Sequence, residues 1–195
     1  MKHSIILLLA LYSLFMPADA SEYHVDKTNT NLVMFVCEVP LTDFKVKTSQ
    51  IDGYVYWDGD SMPPPESQSE TSDIYFEVQL NSLDAGNSMY NRHLKEDYLE
   101  TEKYPYAEFK ASIKKIEQLT DSTFAAYVEG DFSIHGRKKK IAIVGQTVKL
   151  GDLLRVECEF TVKLSDYDIE IPKLMFIEAD DDIKVNLDFY IKPSI

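Results

Sequence analysis

Cysteine, glycine and histidine are all scarce in this chain, which has two, seven and four of them in 195 residues. Two cysteines, Cys37 and Cys158, are too few for a disulfide-dense scaffold or an all-cysteine zinc site. Beyond residue 20 the histidines are His24, His93 and His135. No HExxH, CxxC or His-x-His spacing brings two metal ligands together, so each reads as a hydrogen-bonded structural residue. Asp180-Asp181-Asp182 lacks the alternating ligands, the glycine and the distal glutamate of a calcium loop and reads as a solvated turn. No glycine-rich loop follows a strand and opens a helix, so nucleotide binding has no support. Nothing supplies a nucleophile with its base or a pair of carboxylates in a cleft. No catalytic residue, metal or cofactor is therefore expected.

Positive charge is also short. Twenty basic against 33 acidic residues give a net charge of −13, which repels nucleic-acid phosphates and anionic membrane surfaces. The one basic run, Arg137-Lys138-Lys139-Lys140, falls where a hairpin turn is expected, and exposed basic residues need no ligand to be stable. No segment after residue 20 approaches ~20 consecutive apolar residues, so no membrane-spanning helix is expected.

The first twenty residues carry their own pattern. Lys2 and His3 precede an apolar run from Ile5 to Met16, and Ala18-Asp19-Ala20 supplies the small-x-small pattern of a signal-peptidase site. Residues 1–20 are expected to be a signal peptide cleaved after Ala20, with residues 21–195 as one exported domain, periplasmic or secreted. No cysteine stands at the cleavage site to carry a lipid anchor. The remaining ~175 residues can bury a core without extra staples.

Period-two alternation, the mark of strands with one buried and one wet face, recurs along that domain. It is strongest over Ile74–Leu80, Phe109–Ile113, Phe124–Val128, Leu154–Leu164 and Ile183–Ile191, and Val33–Val39, Ile51–Trp57 and Ile141–Leu150 complete the set. About eight such strands suit a closed antiparallel barrel. Turn-forming clusters separate them at Asp58-Gly59-Asp60, Thr120-Asp121-Ser122 and Gly151-Asp152. Gly53 and Gly130 fall inside strand patterns, where glycine permits a bulge or tight bend. Residues 61–72, rich in proline and serine, read as a loop between the second and third strands. Between the third and fourth strands the period changes, and Met89, His93 and Asp97 share one side of a short helical segment. Cys37 and Cys158 occupy inward positions, where a thiol behaves as a small apolar residue. Their spacing proves no bridge.

The inward set is unusually aromatic. Phe35, Phe76, Phe109, Phe124, Phe132, Phe160 and Phe189 are expected inside, with Val55, Val78, Val128 and Val156. A barrel of ~8 strands can be filled by its own side chains or hold one slender ligand, and alternation alone does not choose between them.

Two ordered blocks add a resemblance. Arg92-His93-Leu94, then Tyr98-Leu99-Glu100, then Lys103-Tyr104-Pro105 lead into a strand with Phe109. Val128-Glu129-Gly130-Asp131-Phe132-Ser133-Ile134-His135-Gly136 is followed by Lys139 and Ile141. Together with Tyr23-His24-Val25-Asp26, Ile51-Asp52-Gly53 and Leu164-Ser165-Asp166-Tyr167, they resemble YceI-like proteins over most of residues 22–192. The family's Arg-Asp before His-Leu is Asn91-Arg92 here, and its Thr-Lys-Pro after His-Gly is Lys138-Lys139-Lys140. The resemblance implies a lipocalin-like barrel enclosing a long apolar molecule, polyisoprenoid-like or fatty. It implies a non-enzymatic carrier or store, with the inward residues around the chain and Arg92, His93, Tyr98 and His135 near a polar head group. A self-filled interaction module of the cell envelope is the second reading, and a lipid-modifying enzyme the third.

Overall fold

In the computed structural model, residues 21–38, 44–57, 72–174 and 177–194 are described. The proposed signal peptide, the turn at residues 58–60 and nearly all of the proline-rich loop lie outside them. The described residues contain twelve strands: β1 (Ser21–Val25), β2 (Leu32–Cys37), β3 (Phe44–Thr48), β4 (Ile51–Trp57), β5 (Ser72–Gln79), β6 (Tyr106–Gln118), β7 (Thr123–Ile134), β8 (Arg137–Leu150), β9 (Leu153–Lys163), β10 (Lys173–Leu174), β11 (Ile177–Glu178) and β12 (Asp182–Pro193). Eight of them close a ring in the order β1, β4, β5, β6, β7, β8, β9, β12 and back to β1, every pair antiparallel. The closed barrel is therefore all-β, as the alternation predicts.

Besides the two-residue β10 and β11, two short strands were not counted from the sequence. β1 and β3 are five residues each, too short for alternation to stand out. β1 and β2 run in turn along the same edge of β12, interrupted where the chain turns at Asp26–Asn31. β3 pairs with β2 and exchanges backbone hydrogen bonds of 3.0 and 2.9 Å with Asp84 through Lys47. These additions correct the helix position. It follows the fifth strand, β5, and not the third.

Glycine allows the tightest approaches between strands. A Cβ on Gly130 would lie 2.1 Å from the Lys110 carbonyl oxygen, and one on Gly53, at φ 141°, would lie 2.0 Å from that of Tyr75. The β6 bulge itself sits at Lys114, between the Ile113↔Val128 and Lys115↔Tyr127 pairs, so Gly130 serves close approach at its Ala111 pairing.

Inward side chains form two clusters. One lies toward the end where β5 exits and β6 enters, and includes Leu80, Leu83, Phe132, Tyr167 and Ile183. The other surrounds fully buried Trp57, whose ring stacks on Tyr23 with centroids 5.0 Å apart.

Candidate functional site

The chain that leaves β5 builds the rim of the first cluster. Asn87 caps helix α1 (Ser88–His93), its side-chain oxygen accepting from the backbone N–H groups of Met89 and Tyr90 at 2.9 and 3.3 Å. Asn91 then ties the helix to the preceding turn. Its side-chain oxygen accepts from Ala85 N–H at 2.6 Å, and its amide donates to Asp84 at 2.9 Å. The helix widens into one π-helical turn, Leu94–Tyr98. A second arm, described over residues 164–174 and 177–181, brings Tyr167, Ile169, Pro172 and Ala179 to the same end.

Between these arms lies a cavity of about 450 Å³. Its walls come from Phe35, Cys37, Phe44 and Val46 on β2 and β3, from Phe132, Ile134, Val162 and Ile183 on the barrel staves, and from Leu80, Leu83, Leu94, Leu99, Tyr167, Ile169, Pro172 and Ala179 above them. Among the described residues, no Lys, Arg, Asp or Glu lines it, and the polar groups that do are the Cys37 thiol, three tyrosines and His93. Met89 and Tyr90 line it yet remain 52% and 38% exposed, so its mouth is at α1. Tyr90 meets Phe44 edge-on, with centroids 5.6 Å apart.

Deeper in the barrel is a second, smaller chamber of about 110 Å³. Val55, Phe76, Phe109, Phe124, Val128, Val156 and Phe189 line it, together with Cys158 and Leu187. Several of these inward residues, including Phe76, Phe109, Val128, Val156 and Leu187, are only half-buried inside a closed barrel. Their remaining accessible surface faces interior space, which a self-filled core at ordinary packing density does not leave.

The sequence-predicted residues thus divide. Phe35, Phe132, His93 and Tyr98 line the wide chamber, and seven others the narrow one. Val78 is buried in the deeper cluster, and Phe160 packs on the outer one, edge-on to Phe132 at 6.0 Å. Arg92 instead lines a polar surface groove with Lys95, Glu96, Glu100 and Lys103. His135 lines neither chamber: its ring lies against Tyr104 at 4.8 Å, and Nδ1 is 3.1 Å from the Tyr167 carbonyl oxygen. Of the helical trio, Met89 and His93 face the cavity, while Asp97 pairs with His93 Nδ1 at 2.5 Å.

Sequence reasoning did not single out Ile169, Pro172 or Ala179, and it quoted Tyr167 only as part of the family resemblance. They sit in segments without strand periodicity. The only signal was an apolar residue recurring every few positions in an otherwise acidic stretch.

The basic run lies in strand β8 and not in the hairpin turn, which is His135-Gly136. Arg137 pairs with Asp168, Lys139 with Asp166 at 3.1 Å, and Lys138 with Asp131 at 3.5 Å. Lys140 shares Asp131 with Lys138, at 3.9 Å, so three aspartates pair with the four cations. Both cysteines are free. Burial raises the thiol pKa of each, Cys158 up to about 12. Among the described residues, no three His, Cys, Asp or Glu side chains are grouped as a metal site would need, and no helix is long and apolar enough to cross a membrane.

The YceI-like domain model matches residues 23–191. The chain belongs to the YceI-like family. The structure of Burkholderia cenocepacia BcnA superposes with a TM-score of 0.69 at 17% identity, covering 85% of this chain and 98% of that one. A polyisoprenoid binding domain from Saccharophagus degradans, implicated in plant cell wall breakdown, gives 0.69 at 15% identity over 88% and 98%. The Campylobacter jejuni YCEI protein gives 0.59 at 16% over 81% and 89%. At these identities the likeness is one of fold. No curated protein matches the sequence.

Proposed function

We propose that this YceI-like protein binds one long apolar molecule, isoprenoid-like or fatty, inside its barrel and shields it from water without chemically altering it. The wide chamber carries the argument. At about 450 Å³ it lies within the ~300–1,000 Å³ range of ligand pockets, it is almost wholly apolar, and it opens at Met89 and Tyr90. Each buried methylene would contribute ~0.8 kcal/mol, so a chain of moderate length overcomes the cost of its own ordering.

The same lining bears on the head group. Among the described residues of the cavity wall there is no lysine or arginine to face a diphosphate held at the mouth, and the β8 basic run is already paired with aspartates. The reading therefore favours a neutral or weakly polar head, near His93, Tyr90 and Tyr98. The pattern of residues 2–20 supports action after export, in the periplasm or outside the cell, where an apolar molecule needs a carrier to cross water.

Mass spectrometry of an organic extract from natively purified residues 21–195 tests this, with a denatured and refolded sample as the blank. A stoichiometric apolar species in the native sample alone is the expected result. An empty extract from protein made in its own source cell would move the preference to a self-filled interaction module.

A further inference from the structure

The barrel interior holds two cavities that, among the described residues, share no lining residue. On one wall, Phe35 of β2 lines the wide chamber while Leu187 of β12 lines the narrow one. The β2–β12 register pairs Val33 with Leu187 and Phe35 with Val185, so Phe35 and Leu187 are diagonal neighbours. Both also pack against both hydrophobic clusters. The facing wall repeats the arrangement. Phe132 of β7 lines the wide chamber, and Phe109 of β6, directly opposite it in register, lines the narrow one. β6 and β7 stand across the ring from β12.

We infer that these four side chains form a septum that limits how much of a bound chain the barrel accepts, a reading that rests on the apolar-ligand function proposed above. A chain entering at Met89 and Tyr90 fills the wide chamber first. Beyond it, each added carbon must displace Phe35 or Leu187 from packed positions before it gains burial in a chamber of only about 110 Å³. Affinity should therefore rise with length, by about fourfold per methylene while the wide chamber fills, and then stop rising. Phe35 and Leu187 are specificity-determining residues for chain length, and Cys158 and Phe189 beyond them line reserve space reached only when the septum opens.

The test measures dissociation constants of straight-chain primary alcohols, from octanol to octadecanol, for delipidated wild-type protein and for Phe35→Ala and Leu187→Ala. Phe35→Leu is a milder companion should either alanine variant unfold. The expected result is a break in the affinity-against-length plot of the wild type that moves to longer alcohols in the variants. A wild-type plot that rises unbroken to octadecanol, or a break that stays in place when either side chain is truncated, overturns the septum while leaving the carrier reading standing. Absence of binding at every length in the wild type overturns both.

Discussion

His135 Nδ1 lies 3.1 Å from the carbonyl oxygen of Tyr167, and because a carbonyl only accepts, the ring carries its proton on Nδ1. This bond joins the β7–β8 hairpin to the arm whose Tyr167 and Ile169 line the cavity. His135 has φ 52°, and the two other non-glycine residues with positive φ among those described, Glu100 and Asp168, meet at the same corner. His135 Nε2 is 4.0 Å from Glu100 Oε2, and Arg137 pairs with Asp168. Three segments are thus pinned together at the expense of backbone strain.

That corner makes a comparison of two substitutions informative. His135→Ala and His135→Gly both lose the bond to Tyr167, costing about 1 kcal/mol. Only alanine keeps the left-handed strain, so the glycine variant should be the more stable of the two by ~1 kcal/mol. Thermal unfolding of the pair measures it. An alanine variant as stable as the glycine one would show that the left-handed backbone is not costly here.

Asp26 marks the break between β1 and β2 and is almost fully buried. The Lys192 ammonium, 2.9 Å away, together with donors from Thr28 and Asn29, holds its carboxyl well below the usual range. Its lowered folded-state pKa means that it contributes stability above its unfolded value, about 3.9, and that this is lost as pH falls below that value. Asp52, Asp84 and Asp181 are shifted in the same direction. Asp26→Asn should destabilise the protein by about 2 kcal/mol near neutrality and flatten the acid limb of stability against pH. Urea titrations across the acid range check both. An acid limb of unchanged steepness would remove Asp26 from the account.

Much of this was legible in the sequence, and the misses have physical causes. Long staves such as Leu153–Lys163 and Asp182–Pro193 alternate over enough residues to declare both strand and face. β1 escapes because Ser21–Val25 places only Tyr23 and Val25 in alternation. The inward phenylalanines were readable because side-chain direction alternates along a strand. Which chamber each one faces was not, since that depends on inter-strand register. Helix phase put His93 with Met89 on one side of the short helix, the side that lines the cavity. It could not place Arg92 in the outer groove or turn His135 toward Tyr167, because those orientations are set by packing between distant segments.

The thiols give a reading of accessibility. Cys158 faces the narrow chamber with its pKa pushed up to about 12 by burial. Near pH 8 the thiolate is on the order of one part in ten thousand. Cys37, buried in the wall of the wide chamber, is shifted upward as well. Native protein should therefore react negligibly with a charged aromatic disulfide reagent, and two thiols per chain should titrate after unfolding without reductant. Fewer than two would mean that a bridge forms, against the free state seen here.

Filling space by substitution separates a hollow barrel from a packed one. Val162 borders the wide chamber, Val128 the narrow one, and Val33 borders neither and is fully buried. Tryptophan at Val162 can extend into about 450 Å³ of apolar space. It should leave stability within about 1 kcal/mol of wild type while removing bound alcohol or co-purified lipid. The same change at Val33 has no space to enter and should show the overpacking penalty of about 1–3 kcal/mol or more. Val128→Trp should fall between them, because its chamber holds only about 110 Å³. Chemical denaturation with a parallel ligand assay ranks the three. Equal destabilisation at all three positions would mean that the wide chamber closes in solution, whereas the ordered series identifies it as permanent space kept open for a guest.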